Sequence, residues 1–343
     1  MSFRIRNPYD LPGQYRKVQL HCHTTESDGQ FRPGELLRMY KEAGYSFVCI
    51  TDHNRVTRYD DLNDTEFLAI PGTEDTIPRP FRPLGPHVVR LFVDRSLSSG
   101  SAQDFVDRTI ADQGIASLAH PSWTGNLWTG GWTGDETKDL RGYQLVEIWN
   151  PHSNTQEDIR RWEAALAARG PSAPVWGVAV DDCHHRGQFN RGWIMVKVPE
   201  ISAAALRQAL LNGSFYASTG VFAEFGVRGE AIEVKLTSPP HPNPLPKGAR
   251  KRSLPSPHPL FEGGKEESLP SPPGGEGEGE GAYLSRRPSI RFIDIKGNVR
   301  QESRAFEARY APQGDEGLVR VECEGPIGNA WSQPFWIEVG AST

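Results

Sequence analysis

The feature that most constrains this chain is where its histidine and acidic residues lie. Nine of them span more than 160 positions, and nearly all come directly after a short apolar run: His21, His23, Asp28, His53, Glu74, His87, His120, Asp182 and His184. Apolar runs of this length between turn residues are typical of buried parallel strands. Side chains at the carboxyl ends of successive strands converge on one face of a β/α barrel. The pattern therefore predicts a site for several metal ions and metal-assisted hydrolysis.

Four segments between the apolar runs have helix signals, such as one apolar stripe, a proline at the start or a glycine after the end. They are residues 33–43, 102–113, 155–168 and 203–211. Alternation of strand and helix is the pattern of a β/α barrel. After about residue 221, apolar and polar residues alternate between glycine turns, which predicts antiparallel strands with one solvated face.

A proline- and glycine-rich segment interrupts these C-terminal strands. Residues 238–281 hold 11 of the chain's 28 prolines and few large apolar side chains. Such a segment cannot bury enough surface to offset the entropy that it would lose on ordering. We therefore predict a disordered, solvated hairpin-loop insertion.

Charge and cysteine usage indicate which partners and which compartment to expect. The net charge of −5 argues against a surface for nucleic acid or anionic membranes. The four cysteines form no C-x-x-C pair, which indicates reduced thiols in a cytoplasmic protein. No apolar run has the length of a signal-peptide core or a membrane span. We expect no membrane partner, and nucleic acid only as a short nucleotide substrate. The sequence does not indicate an oligomeric state.

The residue types of the predicted site favour particular metals. Side chains at i and i+2 of a strand end point to one face, so His21 and His23 can bind one ion together. Mixed imidazole and carboxylate ligands suit zinc, manganese or iron and argue against calcium or copper(I). Two ions roughly 3.5–4 Å apart can share a hydroxide, which would be the nucleophile. Asp52, next to His53, either orients an imidazole or caps the following turn.

Five motifs, HCHTTESDG, TDHN, GTE, AHP and DDCH, resemble in this order the motifs of the polymerase and histidinol phosphatase (PHP) superfamily. The resemblance covers about residues 16–225. It implies an α/β fold with a distorted, TIM-like (β/α)7 barrel over residues 1–222. The antiparallel strands predicted above then form a small C-terminal β domain over residues 223–343. It also implies a metal-binding hydrolase with two to three divalent transition-metal ions.

The resemblance further implies how the ligands are divided among three ions. The first ion would take His21, His23, Glu74 and Asp182, the second Glu74, His87 and His120, and the third Asp28, His53 and His184. The catalytic residues implied among these ligands are Glu74, Asp182 and His184. The family pattern Asp-x-His selects Asp182 over Asp181, which would then be structural or orient another group.

Candidate substrate-binding residues lie just after the ligand motifs. Arg55, Arg186 and Arg191 could each bind a phosphate through two hydrogen bonds, although arginines are also common on ordinary surfaces. His152 and His185 are candidate proton donors.

The combined interpretation is a hydrolase acting on a small anionic molecule, foremost a phosphoesterase for a phosphorylated metabolite or nucleotide. One alternative is hydrolysis of a carbamate or carboxylic ester by the same hydroxide. The glycine-rich loop after His120 favours it if Trp123, Trp128 and Trp132 form a wall over the substrate rather than packing on the barrel. A second alternative is a non-catalytic metal-binding module.

Overall fold

The computed structural model describes residues 3–79, 85–125, 130–238 and 288–339. The helices in these ranges are α1 (Pro33–Glu42), α2 (Ala102–Ala111), α3 (Gly134–Asp139), α4 (Thr155–Arg169) and α5 (Ala203–Asn212). The strands up to residue 218 are β1 (Phe3–Arg6), β2 (Gln14–Gln19), β3 (Tyr45–Ile50), β4 (Leu68–Thr76), β5 (His87–Leu91), β6 (Ile115–Leu118), β7 (Leu145–Trp149), β8 (Trp176–Ala179), β9 (Trp193–Val198) and β10 (Phe215–Ser218). The later strands are β11 (Phe222–Arg228), β12 (Ala231–Thr237), β13 (Ser289–Asp294), β14 (Val299–Ser303), β15 (Glu307–Tyr310), β16 (Leu318–Gly325), β17 (Gly328–Trp331) and β18 (Phe335–Val339). Trp128 and all but the first residue of the segment 238–281 lie outside the described residues.

Helices α1, α2, α4 and α5 lie where the sequence predicts helices, and their end residues explain why. Pro33 is the first residue of α1, and the Ser101 side chain caps α2 in a capping box with Asp104. Gly170 and Gly213 follow α4 and α5 with φ of 65° and 70°, a backbone region that favours glycine. The short helix α3 was not predicted. None of the described helices combines the length and the apolar character needed to cross a bilayer.

One large sheet runs through the molecule in the order β1-β18-β16-β17-β10-β9-β2-β3-β4-β5-β6-β7-β8, with β13 paired to β16 and β14 paired to β13. From β2 to β8, neighbouring strands are parallel except around β5, which is antiparallel to β4 and to β6. The amino end of β5 therefore lies at the same edge as the carboxyl ends of the other six strands, here called the ligand edge. This reversal departs from the parallel pattern that the sequence predicts, and it brings His87, the first residue of β5, to the ligand edge.

A closed (β/α)7 barrel is not shown. Within the described residues, β8 forms a ladder with β7 alone, and the sheet ends there. The segments that follow β2 and β8 nevertheless meet at the ligand edge. The Asp182 amide donates to the His21 carbonyl oxygen, and the His23 amide donates to the Cys183 carbonyl oxygen, both at 3.0 Å. The fold shown is thus mixed α/β, with one large sheet and few helices.

The C-terminal strands are antiparallel, as the sequence predicts, but they are divided between two sheets. β11, β12 and β15 form a three-stranded sheet, whereas β13, β14 and β16 to β18 belong to the large sheet. The strands on either side of the segment 238–281, β12 and β13, therefore do not pair, and the expectation of a hairpin loop was wrong. The large sheet also crosses the predicted domain boundary at residue 222, because β10 pairs with β17 and β1 pairs with β18. The division into two domains stays a prediction.

A buried apolar layer holds the strands that carry the ligand edge. Val18 of β2, Phe47 of β3, Ile70 of β4 and Ile194 of β9 pack in one cluster with Leu206 of α5. Full burial of each such side chain stabilises the fold by roughly 1.5–3 kcal/mol. This packing holds the strands in place, so their ends at the ligand edge need no apolar contacts of their own. These ends can therefore carry polar side chains.

Candidate metal centre

Neighbouring strands bring the nine ligand-type residues together at the ligand edge. Their positions are His21 and His23 after β2, Asp28 in the loop before α1, His53 after β3, Glu74 within β4, His87 at the start of β5, His120 after β6, and Asp182 and His184 after β8. Two of them have left-handed backbone conformations, with φ of 30° at His120 and 43° at Asp182. Such values are unfavourable for a residue with a Cβ atom, and they occur where other contacts enforce them.

Glu74 lies inside β4, not after the end of a strand as the sequence suggested. The first part of β4 pairs with β3 as far as Pro71, and from Gly72 onward β4 pairs with β5. A Cβ atom at Gly72 would lie 3.0 Å from the Arg90 carbonyl oxygen, so this close approach of two strands favours glycine. The strand therefore continues past the end of β3, and its extension places Glu74 at the ligand edge.

The nine ligand-type residues at the ligand edge are here called the cluster. The Glu74 carboxylate lies at its centre, and this residue is 1% exposed. Its two oxygens face different sets of imidazoles. Oε2 lies 3.1–3.2 Å from His21 Nε2, His23 Nε2 and His53 Nδ1, whereas Oε1 lies 3.0 Å from His87 Nδ1 and 3.1 Å from His120 Nε2. A carboxylate placed between two ligand sets has the geometry of a bridging ligand.

Potential ligand atoms form overlapping groups, each within 4.8 Å. The groups are His21–His23–Glu74–Asp182, His23–Asp28–His53–His184, His53–Glu74–His87 and His152–Asp182–His184. The first group equals the first predicted set, and the second group contains the third predicted set together with His23. Of the second predicted set, Glu74 and His87 group with His53, and His120 reaches Glu74 from the same side. His152 was not predicted as a ligand.

The residues at the ligand edge fit divalent transition-metal ions. Asp182 Oδ1 is buried without a hydrogen-bond partner among the described residues, although it lies 3.3 Å from His21 Nε2 and 3.2 Å from His23 Nε2. A buried carboxylate oxygen without a donor is costly unless a cation neutralises it. Imidazole and carboxylate together are the ligand types that suit zinc, manganese and iron.

The imidazoles and carboxylates of the cluster perturb each other's protonation. Burial alone would lower the pKa of His21, but the carboxylates of Asp182, Glu74 and Glu147 raise it well above its usual value. Burial would raise the pKa of Glu74, but imidazoles including His21 and His87 lower it well below its usual range. The raised pKa of His21 and the lowered pKa of Glu74 thus favour a protonated imidazole beside an ionised carboxylate when no cation is bound. A cation that binds His21 must displace a proton from it, so the affinity for metal falls as the pH falls.

Asp181 and Asp182 point in different directions. The buried carboxylate of Asp181 accepts four hydrogen bonds of 2.6–2.8 Å, from the Tyr40 hydroxyl and the backbone amides of Asn190, Arg191 and Gly192. Asp182 instead faces the imidazoles of His21 and His23. The structure thus gives Asp181 a structural role in the loop before β9 and leaves Asp182 as the ligand candidate.

Asp52 organises a loop rather than an imidazole. Its carboxylate accepts hydrogen bonds from the Thr24 amide and hydroxyl at 2.7 Å, from the Ser27 hydroxyl at 2.7 Å and from the Thr57 hydroxyl at 2.5 Å. These contacts hold the loop that carries Asp28. Neither of the two roles that the sequence left open describes this, since no imidazole binds Asp52 in the described structure and only the Thr57 contact lies in the segment that follows it.

One buried carboxylate at the ligand edge was missed in the sequence. Glu147 lies in β7, is 1% exposed and accepts a 2.7 Å hydrogen bond from His21 Nδ1. A glutamate inside the apolar run LVEIW was the available signal, because charged residues are almost never fully buried unless they are paired.

The three candidate arginines do not enter the cluster. The Arg55 guanidinium pairs with Glu26 at 2.7 Å, and Arg186 is exposed. Arg191 is exposed and lines a cavity of about 330 Å³ together with Asn150 and Gln188. Within the described part of the chain, no hydrogen bond or ion pair joins any of the three guanidinium groups to a predicted ligand.

The two described tryptophans of the glycine-rich loop after His120 have different roles. The half-buried Trp123 ring has its centroid 5.0 Å from that of His120 and 5.9 Å from that of His87, so it borders the cluster. Trp132 is buried and donates to the His87 carbonyl oxygen at 3.2 Å, so it packs the loop onto the sheet.

The two candidate proton donors differ in position. His152 Nε2 lies 3.9 Å from Asp182 Oδ2 and 2.8 Å from the Gln188 side chain, so its ring borders the cluster. His185 is exposed, and its Nδ1 accepts a hydrogen bond from the Gly187 amide at 3.1 Å. Of the two, only His152 borders the predicted ligands in the described structure.

No protein-family model and no curated protein matches the sequence. Among solved structures, the chain is similar to a two-domain protein from Bacteroides vulgatus ATCC 8482 described as containing a predicted PHP-like metal-dependent phosphoesterase, with 15% identity, 96% of this chain and 89% of that chain covered, and a TM-score of 0.45. It is also similar to an amidohydrolase from Chromobacterium violaceum with bound sulfate and no metal, with 14% identity, 50% and 88% covered, and a TM-score of 0.37. A third structure, from Bifidobacterium adolescentis ATCC 15703 and provisionally assigned as a metal-dependent phosphoesterase, has 12% identity, 57% and 96% covered, and a TM-score of 0.39. At these identities and TM-scores the likeness carries no argument about activity, which must rest on the cluster itself.

Proposed function

We propose that this protein is a metal-dependent hydrolase that cleaves a phosphoester of a small phosphorylated metabolite or nucleotide, using two to three manganese, zinc or iron ions. The observation that carries the proposal is the buried Glu74 carboxylate, whose two oxygens face two separate sets of imidazoles. Four buried free thiols support a cytoplasmic location as part of the same proposal.

The residues of this chain would hold and orient the reacting groups. Bound ions would lower the pKa of a water molecule toward 7 and neutralise charge on an anionic substrate. Glu74 would bridge two ligand sets, and Asp182 would offer its unpaired Oδ1 to the first. His184 Nδ1 donates to the Asp182 carbonyl oxygen at 2.9 Å, which leaves Nε2 directed at Asp28, 3.4 Å away. These contacts support Glu74, Asp182 and His184 as the catalytic residues.

Arg191 is the arginine best placed to bind a phosphoester. It shares a cavity with Asn150, which donates to Asp182 Oδ2 at 3.1 Å, and with Gln188, which accepts from the His184 amide at 2.7 Å. The cavity thus borders the cluster, and a guanidinium there would bind anionic oxygens. Arg191→Ala should raise KM for phosphoesters several-fold, whereas the exposed Arg160→Ala on α4 is the matched control.

Trp123 favours a second candidate reaction, hydrolysis of an aryl carbamate or carboxylic ester. Its ring borders His87 and His120 and could cover an apolar leaving group. The same ligands would serve either reaction, so the choice between them depends on the substrate and not on the cluster.

Two measurements test the proposal. Protein purified without chelator should carry two to three transition-metal ions, and His184→Ala should lose metal and turnover, whereas His258→Ala in the segment 238–281 should not. Less than about one ion per chain after reconstitution would refute the metal centre, because nine ligands should bind more than one ion.

A substrate panel then decides the reaction. Nitrophenyl phosphates should be hydrolysed faster than naphthyl carbamates, with inorganic phosphate as a competitive inhibitor. Faster carbamate turnover without inhibition by phosphate would select the second candidate. A metal-loaded protein that hydrolyses neither class, nor a wider set of phosphoesters and esters, would indicate a binding module.

A further inference from the structure

We propose that Glu147 and Asn150 form a positioning pair that fixes three of the predicted metal ligands, His21, His120 and Asp182. The pair comes from β7 and the residue that follows it, although this strand supplies none of the nine ligand-type residues. The inference rests on the proposed metal centre and adds two residues that act through the ligands.

Glu147 accepts from three donors, and its burial, with 1% of the residue exposed, keeps solvent away from it. His21 Nδ1–H donates to Oε1 at 2.7 Å, and the His120 amide and Asn150 Nδ2 both donate to Oε2 at 2.7 Å. A carboxylate only accepts, so the short contact to Oε1 places a proton on His21 Nδ1. The Nε2 atom of His21 is then directed at Glu74 Oε2 and Asp182 Oδ1, at 3.2 and 3.3 Å. This is the orientation that a metal-binding imidazole needs.

Asn150 extends the contact to the opposite side of the cluster. Its Oδ1 accepts from the His152 amide at 2.8 Å, which identifies the other amide atom as the donor. That donor, Nδ2, lies 2.7 Å from Glu147 Oε2 and 3.1 Å from Asp182 Oδ2. The Asp182 carboxylate is therefore oriented from one side by Asn150, and its other oxygen, Oδ1, is left for the ligand edge.

The pair also contacts both ligands whose backbone conformation is unfavourable, one through its backbone amide and the other through its side chain. His120 and Asp182 have φ of 30° and 43°. Glu147 accepts from the His120 amide itself, and Asn150 donates to the Asp182 side chain. In the sheet, β7 lies between β6 and β8, so one strand reaches the ligands that follow both of its neighbours. Left-handed conformations at residues with a Cβ atom persist only where surrounding contacts enforce them, and the bond from the His120 amide to Glu147 is such a contact. At Asp182 the backbone amide donates to the His21 carbonyl oxygen, and Asn150 orients the side chain.

The test compares Glu147→Gln with a matched control, Glu316→Gln. Glutamine offers one acceptor oxygen and an NH2 group, so it cannot satisfy the three donors around Glu147. Glu316 is also buried and accepts from the Tyr310 hydroxyl and the amides of Gln313 and Gly314, in the C-terminal sheet region. Competition with a chromophoric chelator should show Zn²⁺ and Mn²⁺ bound about 10–100-fold more weakly by Glu147→Gln, with less than about a threefold change in Glu316→Gln.

A spectroscopic measurement keeps the inference testable if Glu147→Gln does not fold. In Zn²⁺-loaded wild-type protein with ¹⁵N-labelled histidine, the His21 Nδ1 proton should resonate far downfield and be protected from exchange. Its absence would overturn the inference, and so would a folded Glu147→Gln that binds Zn²⁺ as tightly as Glu316→Gln. If the wild-type protein binds neither metal, the proposed function fails and this inference fails with it. If the wild type binds metal but Glu147→Gln and Glu316→Gln bind it equally tightly, this inference fails and the proposed function stands.

Discussion

Replacing Asp181 by alanine should destabilise the fold without removing a metal ligand, although the next residue is a predicted ligand. The Asp181 carboxylate accepts four hydrogen bonds, three of them from consecutive backbone amides of the segment 190–192. Asp182 faces the histidines instead. The two neighbours therefore allow a direct test of which carboxylate belongs to the metal centre.

The magnitude follows from the donors that lose their acceptor. Four donors, two of them buried and two part-buried, at about 1.5 kcal/mol each amount to about 6 kcal/mol at most. Part of this loss is offset, because burial raises the pKa of Asp181 to about 6 in spite of its donors. Relative to an unfolded pKa of about 3.9, holding this carboxylate ionised costs about 3 kcal/mol at pH 8. The expected net loss on Asp181→Ala is thus about 3 kcal/mol at pH 8.

The pH dependence of this loss has a definite sign. Because the folded pKa is raised, native Asp181 binds a proton between about pH 4 and 6 that the unfolded chain does not bind. The carboxyl group therefore contributes more stability at low pH, and its contribution falls as the pH rises through about 6. The deficit of the alanine variant should be larger at pH 5 than at pH 8, by about 1 kcal/mol.

The assays are urea unfolding of chelator-treated protein at both pH values and metal analysis of separate protein purified without chelator. Asp181→Ala should retain the wild-type metal content, and Asp182→Asn should lose at least one ion. A loss in stability below about 1 kcal/mol would refute the hydrogen-bond argument, since it is smaller than the cost of one unpaired buried donor. Metal loss in Asp181→Ala with retention in Asp182→Asn would reverse the ligand assignment.

Three further predictions follow from the same contacts. Glu74→Gln should fold but lose hydrolysis by at least about 100-fold and bind fewer ions, since two ligand sets share its carboxylate; near wild-type turnover would exclude the bridge. Deleting residues 238–281 and joining Thr237 to Ala282 should leave turnover and melting temperature nearly unchanged, and a large loss of either would show that the segment packs or binds. Burial lowers the pKa of Lys17 to about 8, below its unfolded value. As the pH rises from 7.5 to 10, the free energy of unfolding of the wild type should therefore increase by about 2 kcal/mol relative to Lys17→Met, measured by urea unfolding; a difference that does not change with pH would contradict this.

The sequence by itself determined the features that depend on local signals. Proline, capping residues and glycines set the ends of α1, α2, α4 and α5, because these residues act on the backbone of their own turn. The position of ligand-type residues after apolar runs was also local information, and the structure places all nine at one edge. That they bind metal stays a prediction.

Only the tertiary structure decided the features that depend on a partner strand or on side-chain direction. The reversed direction of β5, the extension of β4 through Glu74 and the two sheets on either side of the segment 238–281 are set by pairing between distant segments. The sequence signals each strand but not its neighbour. Likewise, adjacent carboxylates such as Asp181 and Asp182 look alike in sequence, and the hydrogen-bond donors that surround each one separate their roles. The same reason separates Glu147 from the candidate arginines. Glu147 is buried beside His21 and contacts the cluster, whereas the arginines are exposed to solvent or form an ion pair away from it.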